Sequence, residues 1–172
     1  MQFQNIRESI LIVDFGSQVT KLIARRIRDL GVFSEIVTPK QINRINNFDK
    51  FKGIILSGGP STVTKQKFQS IPKIIFSKNI PILGICYGLQ LIAKLFGGKI
   101  KSSKKRREFG RATIFRKKNS LLLKNFFRSN QSVWMSHEDA VVKLPKNFVV
   151  TAYTKDSKLT AIENKNKKIY GI

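Results

Sequence analysis

The sequence predicts an α/β protein: a mainly parallel central sheet with helices on both faces, and antiparallel strands added in the second half. Two observations predict it. Short β-branched runs alternate with segments of helical apolar spacing up to residue 96, and the runs end in turns rich in glycine or serine. After Gly97-Gly98 the pattern changes to shorter strands, as antiparallel additions would show. The 172 residues suit one domain over 1–172, because no internal repeat or low-complexity linker divides them.

Taken in order, Ile10-Leu11-Ile12-Val13 is the kind of run that fills a central parallel strand, and Asp14-Phe15-Gly16-Ser17-Gln18 is the turn after it. Val19, Leu22, Ile23, Ile27 and Leu30 then recur at helical spacing. Arg25, Arg26 and Arg28 lie between them, and Gly31 is placed as a stop. Residues 33–38 read as a second strand. Gly53-Ile54-Ile55-Leu56 makes a third, ending in Ser57-Gly58-Gly59-Pro60, where glycines let backbone approach something closely. Residues 72–77 predict a short helix before the strand Ile80-Pro81-Ile82-Leu83, and an apolar-striped helix follows over 89–96. Five further strands are predicted around 110–115, 133–136, 148–153, 159–162 and 168–172. Sheets of this kind bind ligands at the carboxyl ends of their strands, where the turns at 14–18, 57–60 and 84–88 all lie.

Thirty-three Lys and Arg against ten Asp and Glu give a formal charge of +23. Clustered cations would point to nucleic acid through counterion release. Here they are scattered over 21–28, the loop 101–107, the stretch 116–118 and the tail 165–168, without interleaved aromatic platforms. A solvated lysine surface is expected and a nucleic-acid partner is not; acidic small molecules or an acidic partner surface stay open. The single cysteine excludes an internal disulfide framework and any multi-cysteine zinc site, and no metal site is expected. A lone thiol suits a reducing compartment, so a cytoplasmic location is expected. The start, Met1 to Ser9, is too polar for a signal peptide, and no apolar run approaches the ~20 residues of a membrane span.

The one cysteine lies in Gly84-Ile85-Cys86-Tyr87-Gly88, between a strand and a helix, which is the cysteine version of a nucleophile elbow. The helix that opens after Cys86 directs free N–H groups and its positive dipole end at the sulfur, so a stabilised thiolate is expected. Alone, the motif equally fits a buried structural cysteine between turn glycines. The neighbouring turn Ser57-Gly58-Gly59-Pro60 adds N–H groups that, with that of Tyr87, suit an oxyanion hole. A thiol so placed needs a base, usually a histidine oriented by a carboxylate. The chain has one histidine, His137, and Glu138 or Asp139 would be its orienter on the simplest reading. The alternative is a histidine that only shapes a strand-end loop.

With these residues assembled, the chain resembles the class I glutamine amidotransferases of the GMP synthase branch, whose triad is Cys-His-Glu and whose fold is flavodoxin-like. The resemblance spans essentially the whole chain. Leu56-Ser57-Gly58-Gly59-Pro60 and Cys86-Tyr87-Gly88-Leu89-Gln90 resemble the class generally. Asp14 to Gln18, Arg107-Glu108-Phe109-Gly110 and Val133-Trp134-Met135-Ser136-His137 resemble the GMP synthase branch. The resemblance implies Cys86 as nucleophile, Gly59 and Tyr87 as oxyanion donors, and Gly58, Gln90, Ser136 and His137 as glutamine-binding positions. It implies no cofactor in this domain, with ATP and Mg expected only on an ATP-pyrophosphatase (synthetase) domain or subunit that converts XMP to GMP with the ammonia.

Two departures accompany the resemblance. Glu138 stands where the family usually has glycine. Tyr170-Gly171-Ile172 resembles the strand that in the family runs into a His-Pro-Glu segment carrying the other triad members, so the domain is expected to be incomplete at its C-terminus. His137 matches a different family position. A very slow glutaminase is therefore expected, together with exposed apolar surface where a closing helix covers the sheet in the family. The rival expectation is a noncatalytic glutamine-binding or partner-binding module. Glu108 has no chemical role on this reading beyond support of the site wall, and Asp14 either orders the 57–60 turn or simply forms its own.

Overall fold

The computed structural model describes residues 8–102, 108–127 and 131–172. The basic loop 103–107, including Arg107, lies outside the described residues. The first strand, β1 (Ser9–Val13), is followed by α1 (Thr20–Asp29), β2 (Phe33–Val37), β3 (Phe51–Leu56), β4 (Ile82–Gly84) and α2 (Tyr87–Leu95). Then come β5 (Lys99–Ser102), β6 (Glu108–Arg116), β7 (Gln131–His137), β8 (Asp139–Lys143), β9 (Val149–Tyr153), β10 (Ala161–Asn164) and β11 (Ile169–Gly171). The predicted helix over 72–77 is a 3₁₀ turn, Lys73–Ser77.

The main sheet runs β2-β1-β3-β4-β11-β10-β9-β6-β7. Its first five strands are mutually parallel, in the order of the flavodoxin-like doubly wound fold. The rest is antiparallel. Sequence reading therefore placed the change of pattern correctly but grouped the last strand with the wrong set: β11 returns to the parallel half and lies between β4 and β10. It also missed β5 and β8, which form a separate two-stranded sheet from residues expected in loops.

Strand alternation divides the central side chains between two faces. Leu11, Val13, Ile54, Leu56, Ile82 and Ile169 join Leu89, Leu91 and Ile92 of α2 in the main core. On the other face, Ile10, Ile55, Leu83 and Tyr170 line an apolar groove of about 410 Å³ beside Ile27 of α1 and Leu30 just after it.

A buried carboxylate in the sheet is uncompensated. Glu163 on β10 is 1% exposed, and neither carboxylate oxygen has a hydrogen-bond partner among the described residues. It sits in register with Tyr170, whose phenol is raised by burial first and by the Glu163 charge second. A buried carboxylate without donors costs more than an apolar side chain of similar size. Glu163→Met is expected to stabilise the chain by about 1–3 kcal/mol, read as a higher urea midpoint at unchanged slope; a lower midpoint would show that the carboxylate is satisfied.

Candidate active site

The elbow is a matter of backbone. Cys86 caps α2 with φ 52 and ψ −103, a conformation that costs a non-glycine residue about 1–3 kcal/mol. Its neighbours hold it there. The N–H of Cys86 donates to the Ile172 carbonyl at 2.8 Å, the N–H of Ile85 to the Leu56 carbonyl at 2.9 Å, and the Cys86 carbonyl accepts the Gln90 N–H at 3.1 Å. The half-buried thiol faces the Ser136 carbonyl at 3.8 Å.

The 57–60 turn packs against this elbow. A methyl added at Gly58 would stand 3.6 Å from Cys86 Cβ, and one at Gly59 only 2.5 Å from the Phe15 carbonyl oxygen, so Gly59 admits no side chain. The buried Ser57 hydroxyl accepts the Phe15 N–H at 3.0 Å and donates to the Gly58 carbonyl at 2.7 Å, joining the ends of β1 and β3. Asp14 does not reach across. Its carboxylate accepts the Gly16 N–H at 2.9 Å and the Thr20 hydroxyl at 2.7 Å, so it forms its own turn and the start of α1.

Three elements meet at Asp139, which sequence reading considered only as a partner for His137. Gln90 Nε2 donates to the Asp139 carbonyl at 3.0 Å, and the Thr62 hydroxyl donates to its carboxylate. Asp139 thereby ties α2, β8 and the loop after the 57–60 turn together beside the thiol. No local signal in the sequence announces this, because the three partners come from separate segments.

The expectation of a stabilised thiolate is corrected by the same geometry. Burial pushes the Cys86 thiol above its ordinary value; the Tyr87 N–H pulls it back, and the Asp139 carboxylate adds to the rise. Desolvation by the packed elbow outweighs the helix terminus. Reactivity toward iodoacetamide should accordingly climb only in the alkaline range. Asp139→Asn keeps an acceptor for Thr62 but removes the charge, and should raise the alkylation rate at pH 8 by about two- to fivefold. An unchanged rate would remove Asp139 from the thiol's electrostatics.

His137 is not paired with Cys86, nor with Glu138 or Asp139. Its Nε2 meets Glu108 Oε2 at 3.0 Å, across the β6/β7 ladder in which the two residues are register partners. Glu108 Oε1 also accepts the Thr154 hydroxyl at 2.6 Å. The other ring nitrogen, Nδ1, is buried and has no hydrogen-bond partner among the described residues. The carboxylate that orients His137 is therefore Glu108, and the pair braces the strand that brings Ser136 to the thiol. Cys86, Gln90, Ser136, His137, Asp139 and Thr160 line one cleft of about 500 Å³, whose remaining wall is largely apolar. The arrangement offers a nucleophile, a directed N–H at Tyr87 and a snug polar end; it offers no histidine in hydrogen-bond contact with the sulfur.

Comparison with known proteins shows the family and the fold. The sequence model of the family described as Glutamine amidotransferase class-I matches residues 11–172. A glutamine-hydrolysing GMP synthase from Treponema denticola is 49% identical over 170 residues, which are 99% of this chain and 32% of that protein. Another, from Brachyspira hyodysenteriae, is 48% identical over 170 residues, with 98% and 32% covered. The chain thus spans about a third of the length of the curated relatives it matches. A crystal structure from Thermoplasma acidophilum, described as one subunit of a GMP synthase, superposes with TM-score 0.82 at 32% identity over 96% of this chain and 82% of that one. A glutamine amidotransferase from Thermotoga maritima, at 17% identity and TM-score 0.76, shares the fold over 96% of this chain and 74% of its own.

Proposed function

This chain belongs to the class I glutamine amidotransferase family, and from that premise we propose that it is the glutaminase portion of a cytoplasmic GMP synthase. The observation that carries the reading is Cys86, held at positive φ between β4 and α2 with the Tyr87 N–H directed at its sulfur. Cys86 Sγ attacks the side-chain amide carbon of glutamine. Negative charge developing on the amide oxygen is met by N–H groups of Tyr87 and Gly59. The carbon–nitrogen bond then breaks, ammonia leaves with the thiol proton, and a thioester remains. Water hydrolyses the thioester to glutamate and returns the thiol. Gly58, Gln90, Ser136 and His137 hold the amino-acid end of the substrate, with the Glu108–His137 pair keeping the Ser136 strand in place.

No cofactor takes part on this chain. The ammonia passes to an ATP-pyrophosphatase unit, a domain or separate subunit, which uses ATP and Mg to aminate XMP. A specific observation favours a second reading, a glutamine-binding module without turnover: the chain's one histidine is engaged by Glu108 and its ring makes no hydrogen bond to Cys86.

An electrophilic glutamine analogue tests substrate recognition independently of turnover. It should label Cys86 faster than iodoacetamide does, and L-glutamine should protect where L-asparagine does not. Equal protection by both amides would sink the glutamine reading.

A further inference from the structure

Strands β6 and β7 form a ribbon at the end of the main sheet, with β7 as the edge. Alternation sorts its side chains into two sets. Glu108, Ile114 and His137 turn inward, where they pack or pair. Phe109, Arg111, Trp134 and Ser136 turn outward; Trp134 is 79% and Phe109 63% exposed. Register places Arg111 opposite Trp134 and Phe109 opposite Ser136, so two large aromatic rings and a guanidinium share one solvent-facing patch. The inward set already supplies the packing. Trp, Phe and Arg concentrated on a surface are the composition of an interface core.

The place of the patch matters as much as its composition. The Ser136 carbonyl, on the same strand as Trp134, stands 3.8 Å from Cys86 Sγ. We infer that the outward face of this ribbon, built on Phe109, Arg111 and Trp134, is the surface on which the ammonia-consuming unit docks. This rests on the glutaminase reading above. The occupant follows from three observations. The relatives are about three times as long as this chain, so a segment about twice its size accompanies the corresponding unit in them. The patch borders the nucleophile, and ammonia that escapes into water takes up a proton and ceases to be a nucleophile, which favours a consumer seated at the mouth. Arg111 within the patch and the net charge of +23 suit a partner face that sets an apolar pocket among carboxylates.

Trp134 is the chain's only tryptophan and also borders the cleft, so its emission is read without glutamine, as the difference between mixtures made with this chain and with Trp134→Phe. The partner to use is the part of the Treponema denticola GMP synthase that this chain does not match, produced separately and first shown to aminate XMP with ammonium chloride. With such a preparation, Trp134 emission should shift to the blue on mixing. Phe109→Ser and Arg111→Ala, both surface changes expected to leave the melting curve unmoved, should each weaken binding at least tenfold. Binding that leaves Trp134 emission and both variants unaffected would place the interface elsewhere, and absence of binding by the active partner would also overturn the proposal. So would a concentration-dependent dimer lost in Trp134→Ser, which would make a second copy of this chain the occupant. Glutamine protection of Cys86 is measured without the partner, so it separates failure of this inference from failure of the glutaminase reading.

Discussion

The 172-residue chain is expected to release ammonia from glutamine on the order of 10³-fold or more slowly than the full-length Treponema denticola relative, and Cys86→Ala is expected to abolish what remains. Two features set the size of the effect. The thiol is held protonated at neutral pH, because burial and the Asp139 carboxylate outweigh the Tyr87 N–H. No imidazole stands ready to take its proton, since the one histidine in the chain is bonded through Nε2 to Glu108 and its Nδ1 makes no hydrogen bond. Nucleophile and oxyanion donors alone retain only part of a triad's rate enhancement. Initial rates of ammonia release at matched protein concentration decide the matter. A rate within about tenfold of the relative, lost equally in Cys86→Ala and His137→Ala, would make His137 the base and require its ring to leave Glu108. Glutamine-protected labelling of Cys86 without measurable ammonia would select the noncatalytic module.

Gly88→Ala is expected to destabilise the chain by about 3–5 kcal/mol, the largest loss of stability anticipated for a single methyl here. A Cβ at Gly88 would collide with the Leu56 carbonyl oxygen and stand 2.8 Å from Leu56 Cβ. Both belong to β3 close to its backbone, so no side-chain rotation relieves the clash and α2 must move off the sheet. That movement would open the contact of Leu89, Leu91 and Ile92 with the main core. It would also loosen the elbow, since Gly88 N–H donates to the Ile85 carbonyl at 2.9 Å. Urea denaturation should show the loss, accompanied by faster alkylation of a less buried Cys86. A loss below about 1 kcal/mol would mean that α2 is seated less tightly than these distances require.

Much of this molecule was legible in the chain itself, for a physical reason: the signals were local. β-branched runs, helical apolar spacing and turn glycines act within a few residues, and they located β1, α1, β3, β4 and α2 to within a few residues of their observed bounds. The elbow is local too, so five consecutive residues made Cys86 a candidate nucleophile, with a buried structural cysteine equally open until the 57–60 turn and the family pattern were added. The neighbouring turn brought in the N–H groups of Tyr87 and of residues 57–60 as oxyanion donors, and the family pattern narrowed the latter to Gly59. What only the tertiary structure decided depends on partners distant in sequence. Strand β11 joins the parallel half because its pairing with β4 is set by the whole sheet. Strands β5 and β8 exist only as each other's partner. Glu108 orients His137 from 29 residues away because the β6/β7 register sets them opposite one another, and Asp139 gathers Gln90 and Thr62 from two other segments. The thiol's ionisation turned on the same distinction. A helix terminus is visible in the sequence, whereas the desolvation that outweighs it arises only when the elbow, the 57–60 turn and the Ser136 strand close around one sulfur atom.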